Sequence, residues 1–498
     1  EQTTAHLHQE TRRKRHTPDA AELIKRGIAR MEEAYKDQSS PAITRRMAKL
    51  HERYAEALAK RKANAETERR KAELKQRPTK SFFRKLQPGH ASRTISSLHR
   101  TPDWDKPDEK NGVTTDPDEI CDELARYYQW LFGPKQTIKQ KRDILLTKLE
   151  EGQRFSDADA KDMGKPFNKH EVRDAINLMK EGKSPGPDRL SPTFYKMFQR
   201  ILIPHLVDLF NEAAKTGHLP ECLTQGDIIC LYKKGDPREI RNYRPLTMLQ
   251  VGYKVYARIL VNRLKTRITK VISPAQLGFV PGRIINEASH LLKLIQAYTD
   301  EMDQEGIILA LDWEKAFDRV SWEYMHEAMH ALNMGEEAIA KMGLLSNTEN
   351  PPTRRVKANG KKSGPFNIQS GVPQGCPFSP LAFLLVAEAL TRMLEGGVDI
   401  DGQNVRPEGI QITDPEDGSL LAELVASLFA DDTQALLKNY AQIDKLWIIL
   451  QIYEEATGMR ANPNKFEGIR LGPLKHQRPP PLQGRSRLIK WLERGSYT

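Results

Sequence analysis

Leu428-Phe429-Ala430-Asp431-Asp432-Thr433-Gln434-Ala435-Leu436-Leu437 decides the reading of this chain. Two short apolar runs flank an acidic pair, the pattern of a β-hairpin whose turn accepts Asp and holds both carboxylates at one spot. Carboxylates so placed repel, so the arrangement calls for a cation. Mg²⁺, which takes oxygen ligands and keeps phosphate oxygens in its shell, fits that description. Taken alone, an Ala-Asp-Asp triplet is more often a solvated turn, and its weight comes from a second segment upstream.

There, Ile308-Leu309-Ala310-Leu311-Asp312 reads as a buried strand ending in a carboxylate, followed by Trp313-Glu314-Lys315-Ala316-Phe317-Asp318. By itself Asp312 reads equally well as a strand-terminal turn residue. Beside an acidic hairpin it completes a three-carboxylate cluster, the kind that holds two divalent ions about 3.5–4 Å apart in phosphoryl transfer.

Ser370-Gly371-Val372-Pro373-Gln374-Gly375-Cys376-Pro377 is too rich in Gly and Pro to be regular. It runs into Ser379-Pro380, which the sequence predicts as N-cap and first residue of a helix over Leu381 to Leu394. Glycine there lets backbone approach a ligand closely, and Gln374 offers an amide to a base or a template backbone. Upstream, Leu231-Tyr232-Lys233-Lys234-Gly235-Asp236 and Arg241-Asn242-Tyr243-Arg244-Pro245-Leu246 put cations on a turn-bounded strand pair. Cations so placed can clamp a triphosphate, although a basic hairpin is more often solvated surface.

These segments, with Thr457-Gly458-Met459-Arg460-Ala461-Asn462-Pro463-Asn464-Lys465 after them, stand in a definite order. The series resembles the reverse transcriptases of non-LTR (LINE-type) retrotransposons, block by block. The resemblance runs from about Ser81 to Thr498 and includes Lys183-Ser184-Pro185-Gly186-Pro187-Asp188, the block that opens the fingers in that family. It implies an α+β right-hand polymerase with fingers and palm, the palm an antiparallel sheet backed by helices such as Trp322 to Leu332.

Carried over position by position, the resemblance makes Asp312, Asp431 and Asp432 the carboxylates that bind two Mg²⁺ ions, with Mn²⁺ as the alternative metal. Phe317 matches the bulky residue under the sugar of the incoming nucleotide, where a ring excludes a 2′-hydroxyl and favours dNTP; a core Phe is the plainer alternative. Lys233 and Arg244 match the cations that hold the triphosphate, and Gln374 with Gly375 the loop touching template and nucleotide. Lys465 matches the lysine that protonates the pyrophosphate leaving group. The implied partners are an RNA template, a DNA primer or target, and dNTP. Leu231-Tyr232 stands where the family has an apolar residue and Pro, and Trp313 replaces a smaller or different aromatic neighbour of the first Asp.

Ile489-Lys490-Trp491-Leu492-Glu493-Arg494-Gly495-Ser496 resembles the stretch before the family's primer grip, so the expected boundaries end in a tail at 473–498 cut before that grip and the thumb. Glu1 is no initiator Met, so the beginning is expected to be cut, without the endonuclease domain that precedes the polymerase in many members of the family it resembles. Residues 1–80 read as a basic helical linker: between Pro41 and Lys80, Lys and Arg outnumber Asp and Glu thirteen to five, with little apolar surface to bury. An N-terminal extension follows over 81–160, opened by Phe82-Phe83 and Ile95, with a helix whose Leu124, Tyr127, Tyr128 and Leu131 share a face. Fingers are expected over 161–300 and palm over 301–472. Tyr256, Ile259, Leu260, Leu264 and Ile268 form another apolar stripe, with Arg258, Arg263, Lys265 and Arg267 on a face that is either solvated or tracks a phosphate backbone.

Composition agrees. The 498 residues are 38% apolar, enough for a core, and the net charge of +12 suits a polyanion. Cys121, Cys222, Cys230 and Cys376 show neither zinc spacing nor a disulfide framework, which points to a reducing, intracellular setting, nucleus and cytoplasm. No signal peptide, membrane-length apolar run or internal repeat is present, and oligomeric state is unreadable. Gly182-Lys183-Ser184 is no phosphate loop, since Asn177 stands where Gly is needed. Two other classes stay open at this point: an inactive remnant that binds RNA, and an RNA-dependent RNA polymerase. An intron maturase is a nearer relative.

Overall fold

Gly306–Leu311, six residues without a charge, form the central strand of a five-stranded sheet. In the computed structural model, which describes residues 94–106, 109–414 and 416–492 together with the helical positions Lys49, Glu52 and Glu56, the strand order is Ala426–Phe429, Asp432–Leu437, Gly306–Leu311, Glu467–Leu471, Lys490–Trp491. The expected linker and the Phe82-Phe83 opening otherwise lie outside the described residues, as do the last six positions. Residues from Thr94 onward form one compact unit.

Alternation along the central strand explains why it has no charge. Ile307, Leu309 and Leu311 join the large core with Ala435, Leu437 and Phe466, while Ile308 joins a smaller cluster with Ile295, Ile410, Leu436 and Leu471. A strand covered on both faces must be apolar at every position. The first four strands pair antiparallel, as expected, but the edge pair is parallel, Glu467 opposite Lys490. The sheet is therefore mixed, and the stretch expected as a tail supplies its fifth strand.

A second sheet carries the basic segments. Gly226–Tyr232 and Tyr243–Leu249 pair antiparallel with Leu231 opposite Arg244. Thr353–Ala358 joins the other side of Gly226–Tyr232 in parallel. Buried Asp227 ties the sheet's far side through Lys357 at 2.6 Å and Lys362 at 3.1 Å.

The helices follow their sequence signals with two differences. Pro117–Leu131 begins at Asp116, whose side chain accepts from the amides of Asp118 and Glu119, and buries Ile120, Leu124, Tyr127, Tyr128 and Leu131. Trp322–Ala331, Ser379–Gly396 and Gln442–Thr457 pack on one another. Ser379 is the first helical residue rather than the cap, because its hydroxyl donates instead to the Pro373 carbonyl at 2.9 Å inside the preceding loop. The second difference lies on Val251–Lys265. Arg263 on its basic face is buried, bonded to Glu171 and to the carbonyls of Met163, Lys165 and Pro166. Arg267 pairs with Asp159 and Asp162. Both guanidinium groups are committed to protein partners.

Candidate active site

Register builds the site. Thr433 lies opposite Leu311 in the antiparallel pair, so the next step along both strands sets Asp432 beside Asp312. Phe429 pairs with Asp432 across a two-residue turn of Ala430 and Asp431. Ala430 is left-handed, φ +59°, a conformation that costs a side-chain-bearing residue energy and is held by its surroundings.

Those surroundings come from a segment that carries no motif of its own. Leu277 donates to the Leu428 carbonyl at 2.7 Å, and Leu428 to that of Ala275 at 2.8 Å. Buried Gln276 accepts from the Ala430 amide at 2.9 Å and from the Gly278 amide at 2.8 Å, and donates to the Ala430 carbonyl at 3.4 Å. The visible signal was a Gln two residues before a Gly in a loop, which names no partner.

Behind Asp312 the chain turns sharply at Lys315, φ +53°, and the short helix Ala316–Arg319 brings Phe317 to the site. The Phe317 ring stacks on Phe383 at 4.5 Å and meets Phe279 edge-on at 6.5 Å. The Pro-Gln-Gly loop docks on both neighbours through backbone. Val372 donates to the Phe317 carbonyl at 2.7 Å, and Gln374 accepts from Thr247 of the basic hairpin at 2.8 Å. Gly375 sits at φ +123°, where a Cβ would come within 2.5 Å of the Thr247 carbonyl, so only glycine allows this approach.

All nine expected residues, Lys233, Arg244, Asp312, Phe317, Gln374, Gly375, Asp431, Asp432 and Lys465, line one cavity of about 840 Å³. A larger cleft of about 2010 Å³ shares only Arg460 with it and holds none of the nine. Burial, and then the Asp432 carboxylate, raises the Asp431 carboxyl above its ordinary range. Burial, followed by Arg244 and Lys465, lowers the Lys233 ammonium. Lys465 Nζ lies 3.0 Å from Asp312 Oδ2.

Hard oxygen donors suit a hard divalent cation. Among the described residues Asp431 and Asp432 have no ion-pair partner, which leaves adjacent negative charge for a metal to neutralise. The three aspartates are spread more widely than His99, Asp236 and Glu239, the one trio of potential ligands among the described residues whose atoms all fall within 4.8 Å. That trio is already countered by Lys110 and Arg238.

Further charged groups line the cavity, Asp318 and Lys315 among them. Asp318 is 1% exposed, its Oδ1 has no hydrogen-bond partner, and burial pushes its carboxyl up to about 7 against Lys315, Lys135 and Arg244. Lys315 donates to the Tyr243 carbonyl, linking the turn after Asp312 to the basic hairpin. The Asn462 amide donates to the Asp312 carbonyl at 2.8 Å.

A profile of the family described as reverse transcriptase (RNA-dependent DNA polymerase) matches residues 232–492, slightly more than half of the chain. The chain belongs to the reverse transcriptase family. The match takes in all nine cavity residues. Among similar proteins, the transposon TX1 uncharacterized 149 kDa protein of Xenopus laevis is 29% identical over 381 residues, 76% of this chain and 28% of that protein. The RNA-directed DNA polymerase from mobile element jockey of Drosophila funebris is 25% identical over 279 residues, 55% of this chain and 28% of that protein. The Pol polyprotein from type-1 retrotransposable element R2 of Popillia japonica is 28% identical over 261 residues, 52% and 35%. This reverse transcriptase chain spans about a quarter to a third of the length of those relatives.

Proposed function

We propose that the chain is the RNA-directed DNA polymerase of a non-LTR retrotransposon, extending a DNA primer on an RNA template with dNTP. The observation that carries this reading is one cavity lined together by Asp312, Asp431, Asp432, Lys233, Arg244, Lys465 and Phe317, within a stretch matched by the reverse transcriptase family. On this reading the five-stranded sheet is the palm and the basic hairpin belongs to the fingers, with the divisions 81–160, 161–300, 301–472 and 473–498 as expected from sequence.

Asp312, Asp431 and Asp432 would hold a pair of Mg²⁺ ions, which supply activation of the primer 3′-oxygen and stabilisation of the leaving pyrophosphate. Lys233 and Arg244 hold the triphosphate by charge, Arg244 through a guanidinium fork that matches phosphate geometry. The Phe317 ring, backed by Phe383, blocks the space of a 2′-hydroxyl. Gln374 presents its amide to the nascent pair, and Lys465 donates a proton to the departing pyrophosphate. Most of the rate then comes from positioning and from charge already in place. A reducing intracellular setting is proposed on the four cysteines, which are all unpaired; no described helix is long and apolar enough to cross a membrane.

The test is extension of a labelled DNA primer annealed to RNA, with Mg²⁺ and either dNTP or rNTP. Growth with dNTP supports the reading. Growth with rNTP alone would replace it with RNA synthesis.

A further inference from the structure

We infer that Gln276 is a positioning residue for the acidic turn: its side chain holds Ala430 left-handed and thereby aims Asp431 and Asp432 at the metals. The inference rests on the metal-site reading above and adds a residue 154 positions away from the turn.

Three observations converge. Ala430 carries a Cβ yet adopts φ +59°, which few L-residues do without support. Its amide has a partner in Gln276 Oε1 at 2.9 Å, and its carbonyl accepts from Gln276 Nε2 at 3.4 Å, so one side chain satisfies both backbone polar groups of the strained residue. The segment around Gln276 has no slack. Its carbonyl and that of Ser273 accept from Arg283, each at 2.6 Å, and a Cβ on Gly278 would come within 2.2 Å of the Ala430 amide nitrogen.

A hydrogen-bonded clamp of this kind matters only while the turn residue resists its conformation. Glycine populates the left-handed region freely, so Ala430→Gly should make the clamp dispensable. That gives a readout which a merely structural Gln276 would not produce.

Mn²⁺ is the probe, titrated by electron paramagnetic resonance against the whole chain, with thermal unfolding run in parallel. Gln276→Ala should weaken Mn²⁺ binding on the order of tenfold, the scale of one lost clamp. In the Ala430→Gly background the same substitution should weaken it less than about twofold, while both pairs lose similar thermal stability. Gln276→Met, which keeps the volume and removes the acceptor, replaces Gln276→Ala if the latter does not fold. Undiminished binding by the Gln276 variants, or an equal loss in both backgrounds, overturns the proposal. An Asp431→Asn chain that binds Mn²⁺ like the parent would instead overturn the metal site itself.

Discussion

Lys465 Nζ lies 3.0 Å from Asp312 Oδ2, joining the last of the cavity's cations to the first of its carboxylates across 153 residues. An ammonium in that position holds the charge balance that a metal would otherwise supply. Both side chains are partly exposed, 51% and 36%, so the pair is modest in energy, about 0.5–1 kcal/mol.

Lys465→Ala should therefore tighten Mn²⁺ binding by about two- to fivefold while lowering the rate of a single primer-extension step on the order of 10²-fold, if Lys465 is the proposed proton donor to pyrophosphate. Equilibrium titration and rapid-quench kinetics separate the two effects. Weaker metal binding by the variant would show that Lys465 supports the site rather than competing for it.

Phe317→Val should raise ribonucleotide use relative to deoxyribonucleotide by at least ~1.4 kcal/mol, or tenfold, because exclusion of a hydroxyl by a ring is steric. Phe383 makes the expectation sharper, since its stack at 4.5 Å leaves the Phe317 ring little freedom to swing aside. Competing dNTP and rNTP incorporation on one template measures the ratio. An unchanged ratio would reduce Phe317 to a packing residue.

Asp318 gives a pH signature. Burial raises its folded carboxyl to about 7, whereas the unfolded group titrates near 4. The folded state holds a proton that the unfolded state has released, so this group's contribution to stability falls as pH rises from about 4 to about 7 and is level above that. Asp318→Asn removes the dependence. The stability of the variant relative to the parent should grow by roughly 2–4 kcal/mol between pH 5 and pH 8, read from denaturant unfolding at each pH. A difference that stays constant across that range would mean Asp318 ionises normally in the folded chain.

What was legible in the sequence was short-range or ordered along the chain. The apolar run before Asp312, the two runs around Asp431-Asp432 and the Gly-Pro loop before Ser379 each announce their local structure, and their order brought nine residues to one cavity. What was hidden depends on partners far away. Gln276 has no distinguishing neighbour until the fold sets it against Ala430. Arg263 looks like any cation on a helix face until Glu171 and three carbonyls close around it. Ser379 has the chemistry of a cap, and only the path of the loop decides that its hydroxyl goes to Pro373. The parallel pairing of Lys490 with Glu467 likewise has no local signal, because a two-residue strand is set by the edge it meets.

On the proposed function, the carboxylates at the end of the central strand and on the acidic turn carry metal-dependent DNA synthesis. Primer extension on RNA with dNTP and Mg²⁺, comparing the parent with Asp431→Asn, measures it most directly. The parent should extend the primer until the metal is chelated, the variant should lose on the order of 10³-fold or more, and RNA binding by the variant should stay close to that of the parent. Extension by Asp431→Asn within tenfold of the parent would contradict it.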